Sequence, residues 1–532
     1  MEPQQKSFRR LPWGKVMPNK VISAREAVGL VKDGDVLALH GAGGGNVEPD
    51  LLIRALGERY LENKKPGNLT IFHVSGLGDR KTTGLGYLAH EGLVKRVIGG
   101  HYGMAPRMAK LVLDEKIEGY NLPQGVMSQW LREVAGGRPG LITQVGLGTF
   151  VDPRLQGGKL NKRCAEDLVE VIELGGREWL FYRSFPINVA FIRGSTADEK
   201  GNISLELEPA WLDILPMAMA AHNSEGVVIA QVKRLVKAGT LPSKSVKVPG
   251  SLVDKVVVYP EQWQTVAGEY NPSFSGEVKI PLETLEKMDL NERKVIGRRG
   301  ALELSPGFAI NMGVGMPDGV ASVAAEEGIE DRMTVFIEQG LIGGIPAPGV
   351  LFGVMSNFEA VIDQAYQFDF FDGGGLDRAF LGFAEADRHG NVNASKFGQN
   401  LAGTGGFVNI SQGAKRIIFC GTFTASGLKT RVGGGRIEIL QEGTHKKFVE
   451  EVEQITFSGD YAAQKGQKVM FITERAVIER VREGMVITEI APGVELERHI
   501  LRQMAFQPII SPRLREMDSR VFQEGLMGLA RS

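Results

Sequence analysis

The feature that most constrains this chain is that it repeats itself at long range. Leu69-Thr70-Ile71-Phe72-His73-Val74-Ser75-Gly76-Leu77 aligns with Met333-Thr334-Val335-Phe336-Ile337-Glu338-Gln339-Gly340-Leu341, matching Thr with Thr, Phe with Phe, Gly with Gly and Leu with Leu. Val36 to His40, the glycine run Gly41-Ala42-Gly43-Gly44-Gly45-Asn46 and a helix over Asp50 to Tyr60 are restated as Phe308 to Asp318 with an Ala-rich helix over Gly319 to Glu327. Farther on, a strand leading from Val189 to an Asp-x-x-Gly-Asn turn at Asp198 returns, with one constant separation, as Arg378 leading to Asp387-Arg388-His389-Gly390-Asn391. Repetition at such a period implies two units of one fold.

Each copy alternates apolar strands of buried length, glycine turns and amphipathic helices. That pattern predicts an α/β fold of two tandem homologous open domains, each a mainly parallel sheet flanked by helices, with the functional site between them. The expected units are residues 1–275 and 290–532, joined by the polar, Pro-bearing stretch from Glu261 to Leu290. Gly99 to Arg183 has no counterpart in the second copy, and loops this rich in glycine and polar residues read as functional or as long connections.

Where duplicates share a scaffold, their differences are candidates for chemistry. Glu338 ends an apolar strand where the first copy has Val74, and glycines follow at 340, 343 and 344. A carboxylate at a strand end, flanked by residues that let a bulky group approach the backbone, reads as a nucleophile or base, against the alternative of a buried acid paired with an arginine. The second difference is Leu401-Ala402-Gly403-Thr404-Gly405-Gly406, a glycine turn where the first copy has the helical stretch Trp211 to Ala221. The Gly41–Asn46 run before a helix reads either as an anion- or ligand-lining loop, with Gly43 and Gly44 as candidates, or as a plain tight turn.

Composition narrows the classes. The chain has 532 residues, 43% hydrophobic and 23% charged, with 62 basic and 63 acidic side chains and a net charge of −1, which gives no sign of a nucleic-acid binder. Cys164 and Cys420 lie outside any CxxC, so neither a disulfide framework nor a cysteine metal site is indicated. No apolar run approaches the ~20 residues of a membrane helix and the basic, polar start has no secretory pattern, so a cytoplasmic protein is expected. Serine-hydrolase elbows and zincin motifs are absent, and a dinucleotide fingerprint would need glycine where Asn46 stands. Gly421 to Thr430 fails the P-loop spacing, and His40, His73 and His101 read as core or loop residues, with no metal spacing among the eight histidines.

Taken together, Glu338-x-Gly340 at a strand end, Asn311-x-Gly-x-Gly-x-Pro317 before it and Gly403-x-Gly405-Gly406 after it resemble the family I CoA-transferases, with both subunits fused in one chain. Asn121-Leu122-Pro123-Gln124-Gly125 and the Gly146 to Asp152 stretch resemble the single-chain propionate/acetate branch, over about Asn19 to Pro512. One departure is that the two-subunit branch carries Ser before and Asn after its catalytic Glu, where this chain has Ile337 and Gln339. The resemblance implies a ping-pong exchange of CoA between a short-chain acyl-CoA and a free carboxylate, through a glutamyl-CoA thioester on Glu338. It implies an oxyanion and CoA loop at Gly403, Gly405 and Gly406 and a carboxylate pocket with Gln124, Gly43 and Gly44. It also implies no metal or cofactor beyond CoA as substrate, no nucleic-acid or membrane partner, and a homo-oligomer, a dimer or tetramer. An acyl-CoA hydrolase on the same scaffold and a non-catalytic acyl-CoA or sugar-phosphate sensor are the alternatives.

Overall fold

The computed structural model describes residues 20–281 and 287–531, so the polar start and part of the Glu261–Leu290 stretch lie outside the described residues. The first sheet runs, edge to edge, through Lys255–Val258, Val227–Val236, Val189–Asp198, Val36–Leu39, Leu69–His73, Val94–Gly99 and Glu118–Asn121, all parallel. Because side chains alternate along a strand, this sheet is covered twice. Leu37, Leu39, Ile71, Val189 and Phe191 pack with helices Ala24–Val28, Asp50–Asn63 and Pro106–Leu113. Ala38, Phe72, Ala190 and Ile192 face the opposite way, toward helices Gln124–Ala135 and Ile214–Asn223.

The second sheet repeats the first five of these strands in the same order: Lys468–Ile472, Arg416–Cys420, Arg378–Gly382, Ala309–Met312 and Thr334–Val335, again parallel. It then departs, extending beyond Lys468–Ile472 by the antiparallel strands Ala476–Val481 and Gly484–Ile490 and by Ile509–Glu516. The duplication reaches individual atoms. Val36 pairs with Thr70 as Ala309 pairs with Thr334. Asn188 Oδ1 accepts from Val36 N at 2.8 Å, and Asp377 Oδ2 accepts from Ala309 N at 3.0 Å. In the first Asp-x-x-Gly-Asn turn, Asp198 Oδ1 accepts from Lys200 N and Asn202 N; in the second, Asp387 Oδ1 accepts from His389 N and Asn391 N. An aspartate is needed there because one carboxylate oxygen closes the turn by taking two backbone donors.

The halves dock through the segment that has no counterpart. Helix Gln124–Ala135 lies against helices Gln364–Asp372 and Phe407–Gly413. Gln129 Nε2 donates to Asp369 at 3.0 Å and Asp372 at 2.8 Å, while Arg132 clamps both oxygens of Asp369. Gly125 sits at the closest approach: its N–H donates to Asn409 Oδ1 at 3.0 Å, and a Cβ there would come within 2.4 Å of the Phe368 ring. Among the described residues no helix is long and apolar enough to cross a membrane.

Gly125→Ala drives a methyl group into the buried Phe368 ring, so it is expected to lower stability by about 2 kcal/mol. Chemical denaturation of the two proteins checks this, and an unchanged midpoint would mean that the docking is looser than the contact implies.

Candidate active site

Strand Thr334–Val335 is shorter than the apolar run suggests, because the chain turns at once after it. Ile337 O accepts from Gly340 N at 3.2 Å, which places Glu338 and Gln339 at the two corners of a tight turn. Gly340 has φ +90°, and a Cβ there would lie 2.0 Å from Ile362 O, so no other residue fits. Asn311, on the neighbouring strand, donates from Nδ2 to Phe336 O at 2.9 Å and anchors the strand end from which the turn projects.

The turn delivers Glu338 into a cavity of about 1030 Å³ between the halves. The carboxyl is 7% exposed and its Oε2 has no hydrogen-bond partner among the described residues. Burial pushes its pKa up from 4.5 to about 7, only partly countered by its own backbone N–H. Among the described residues no arginine pairs with this acid, which does not support the arginine-paired alternative. Gly406 supplies the space beside it: a Cβ there would stand 2.7 Å from Glu338 Cγ.

The equivalent turn of the first copy faces the same cavity. Ser75 and Gly76, the counterparts of Gln339 and Gly340, line it, as do Gly43 of one copy's glycine loop and Gly313 of the other's. Both sheets thus bring the carboxyl ends of matching strands to one crevice, the usual place for a ligand in open α/β sheets.

Gln124, Gly403, Gly405 and Gly406 all line this cavity, and three expectations need correction. Gly44 is not on its wall; it has φ +72°, and a Cβ there would lie 2.5 Å from Val350 O, so it serves the contact between halves. The glycine run does not cradle an anion with the helix that follows, because Leu51 N and Leu52 N both donate to Gln231 Oε1. Two N–H groups of the expected oxyanion loop are also taken: Gly403 N donates to Ser395 O at 2.9 Å and Gly405 N to Gly100 O at 2.7 Å. Thr404 N donates to Asn121 Oδ1 at 2.9 Å. The bonds to Gly100 and Asn121 dock the loop onto the first half, and Gly406 is the glycine of the loop that stands against Glu338.

The cavity also holds residues that sequence reading assigned elsewhere or missed. His101, expected in a core or ordinary loop, lies on the wall, and burial lowers its pKa to about 4, so the ring is neutral. Lys447 Nζ sits 3.8 Å from the centre of the Phe383 ring, and burial lowers its pKa to about 8. Among the described residues neither Lys447 nor Arg80, also on the wall, forms an ion pair with a carboxylate.

Comparison with known proteins settles the lineage. A coenzyme A transferase family model matches residues 21–259. The chain is 47% identical to the acetate CoA-transferase YdiF of Escherichia coli K12, covering 96% of both chains. The chain belongs to the coenzyme A transferase family. It is also 46% identical to the caffeate CoA-transferase of Acetobacterium woodii, over 96% of this chain and 98% of that one. A crystal structure of the acyl-CoA transferase YdiF from E. coli O157:H7, a thioester complex with CoA, superposes with a TM-score of 0.92 at 46% identity, covering 96% of this chain and 97% of that one. As a coenzyme A transferase, the protein is an enzyme that moves CoA between an acyl-CoA and a free carboxylate.

A carboxyl that ionises near 4.5 when unfolded and near 7 when folded binds its proton more tightly in the native state, so its contribution to stability falls as pH rises from about 4.5 to about 7. Glu338→Gln removes that dependence. Between pH 4 and pH 8 the variant should gain about 3 kcal/mol relative to the parent, read from denaturant midpoints at the two pH values. Parallel pH curves would show that Glu338 is solvated.

Proposed function

We propose that Glu338 is the nucleophile of this transferase and that its substrates are short-chain acyl-CoA thioesters and short carboxylates. The observation that carries the reading is the unpaired, buried carboxylate at the turn tip, facing the cavity where both sheets converge. One oxygen of Glu338 attacks the thioester carbonyl carbon; the C–S bond breaks and CoA leaves as thiolate, giving an acyl-glutamyl anhydride. The thiolate then attacks the glutamyl carbonyl of the anhydride, the C–O bond breaks, and the acyl group departs as its free carboxylate. Glu338 is left as a CoA thioester, and an incoming acid reverses both steps.

Residue types and placement suit each step. A carboxylate held near pKa 7 by burial is less solvated, and so a stronger nucleophile, than one in water. Gly406, against Glu338, is the loop position best placed for its N–H to face a developing oxyanion. His101 and Gln124 offer neutral polar walls to the carboxylate, and Arg80 and Lys447 are cations on the same cavity wall suited to the CoA phosphates. The thioester complex with CoA recorded for YdiF supports a covalent route. The names of the relatives, acetate and caffeate CoA-transferase, favour carboxylic acids as the second substrate. The same reading takes residues 1–275 and 290–532 as the two units, in a cytoplasmic homo-oligomer.

Peptide mass mapping after incubation with acetyl-CoA and no acceptor acid tests the nucleophile. A CoA-sized adduct is expected on the peptide holding Glu338, absent from Glu338→Ala, whose exchange rate should fall by a factor on the order of 10³ or more. Steady release of free CoA with no adduct would instead indicate hydrolysis.

Gly406→Ala tests the space beside the carboxyl. Its backbone, at φ −79°, accepts any residue, so the protein should stay folded while the Cβ displaces the Glu338 side chain. A loss of about 10²-fold in kcat/KM with an unchanged unfolding midpoint is expected. Full activity would show that the two groups do not need this contact geometry.

A further inference from the structure

Gln124 is the cavity end of a buried polar chain that crosses between the halves. Its Nε2 donates to Gln364 Oε1 at 3.1 Å, and Gln364 Nε2 donates to Asp213 Oδ2 at 2.8 Å. Ser128 Oγ donates to Asp213 Oδ1, and Ser75 Oγ reaches Gln364 Oε1 at 3.5 Å. Gln364 and Ser128 are wholly buried, Asp213 is 2% exposed and Gln124 4%. Asp213 is the one carboxylate in this hydrogen-bonded network among the described residues.

An amide has two unlike ends, and its neighbours decide which end points where. An ionised carboxylate only accepts, so Gln364 must turn its NH₂ toward Asp213. Its Oε1 then faces Gln124, and the Ser75 hydroxyl reinforces that setting. Gln124 must in turn give an N–H to Gln364. Its Oε1 and remaining N–H are left for the cavity, where a Cβ on Gly405 would stand 3.7 Å from that oxygen. Reversing either amide would set oxygen against oxygen in a buried place, at a cost of a lost hydrogen bond and an unpaired acceptor.

We propose that Asp213 and Gln364 are positioning residues that fix which end of the Gln124 amide meets the substrate carboxylate. The inference rests on Gln124 lining the acid-binding part of the cavity in the reaction proposed above. Neither residue lines the cavity, and they act on substrate only through Gln124. Selectivity for the acid is then set partly at Asp213, which the cavity wall itself does not include.

The test compares the parent, Gln124→Ala, Asp213→Asn, Ser128→Ala and the Gln124→Ala/Asp213→Asn double variant at pH 8, above the value of about 7 to which burial raises Asp213. Two quantities are read: the CoA adduct formed on Glu338 from acetyl-CoA alone, and kcat and KM for acetate as acceptor. Asp213→Asn, which permits either amide setting, should lower kcat/KM for acetate about tenfold, mainly through KM, and should slow adduct formation from acetyl-CoA by a similar factor, because the two are one half-reaction run in opposite directions. The double variant should be no worse than Gln124→Ala alone, since the chain has no other route to substrate. Ser128→Ala, which leaves Gln364 in place, should show a smaller loss in the same parameter, and it carries the test if Asp213→Asn does not fold. Effects that multiply in the double variant, or a loss carried by kcat with KM for acetate unchanged, would overturn the positioning role. An absent adduct in the parent would instead remove the Glu338 reading, and the inference with it.

Discussion

A carboxylate taken out of water is the constraint on which the rest of this structure depends. Ionised Glu338 is costly in its buried setting, which is why its pKa rises toward 7, and among the described residues no arginine or lysine pairs with it to relieve that cost. A partner charge would lower the pKa and hold the side chain. The surroundings are instead made of backbone that leaves room: Gly340 at the turn, Gly406 against the side chain, and Asn311 holding the strand end. The destabilisation is local, and the doubly covered sheets on either side are large enough to carry it.

Water exclusion then becomes a problem of how two halves meet. A duplicated pair of open sheets would leave a crevice between their strand ends. Here the segment found only in the first half closes it, through Gly125 against Phe368, Arg132 on Asp369, and a mutual pair in which Gly146 N donates to Gln412 Oε1 and Gln412 Nε2 donates to Leu147 O. The glycine loop of the second half is docked in return by Gly100 O and Asn121 Oδ1 of the first. Most of these bonds are backbone to side chain between distant parts of the chain. The cavity walls are thus tied to both sheets.

The parts of this arrangement that were legible in the sequence are those written locally. The two copies, their strand, turn and helix order, and the contrast between Val74 and Glu338 follow from residues a few positions apart, compared across one repeat. Element ends were less legible: helix Asp50–Asn63 runs past the expected Tyr60. The failures have one physical cause. The helix N–H groups that follow the Gly41–Asn46 run and those of the Gly403–Gly406 loop look free in sequence, but Gln231, Gly100 and Ser395 occupy them from far away. Gln364 and Asp213 escaped notice for the same reason, since a polar residue reveals its role only through partners that the fold supplies. His101 alone carried a local signal, standing just past Val94–Gly99 at the same sheet end as the active turn.

The duplication also explains why the active site is single. Both copies of the strand-end turn open on one cavity, so a nucleophile in each would set two carboxylates in the same low-dielectric space, where like charges cannot both ionise. The first copy resolves this by placing Val74 in the core and turning its neighbour to another task. Ser75, the counterpart of Gln339, extends its hydroxyl to Gln364 and so joins the polar chain that ends at Gln124. One turn carries the buried carboxylate, and its duplicate helps to hold the neutral amide on the same cavity wall. The two roles are complementary because the scaffold is shared, and they are separate because a single side chain, valine or glutamate, differs at the turn.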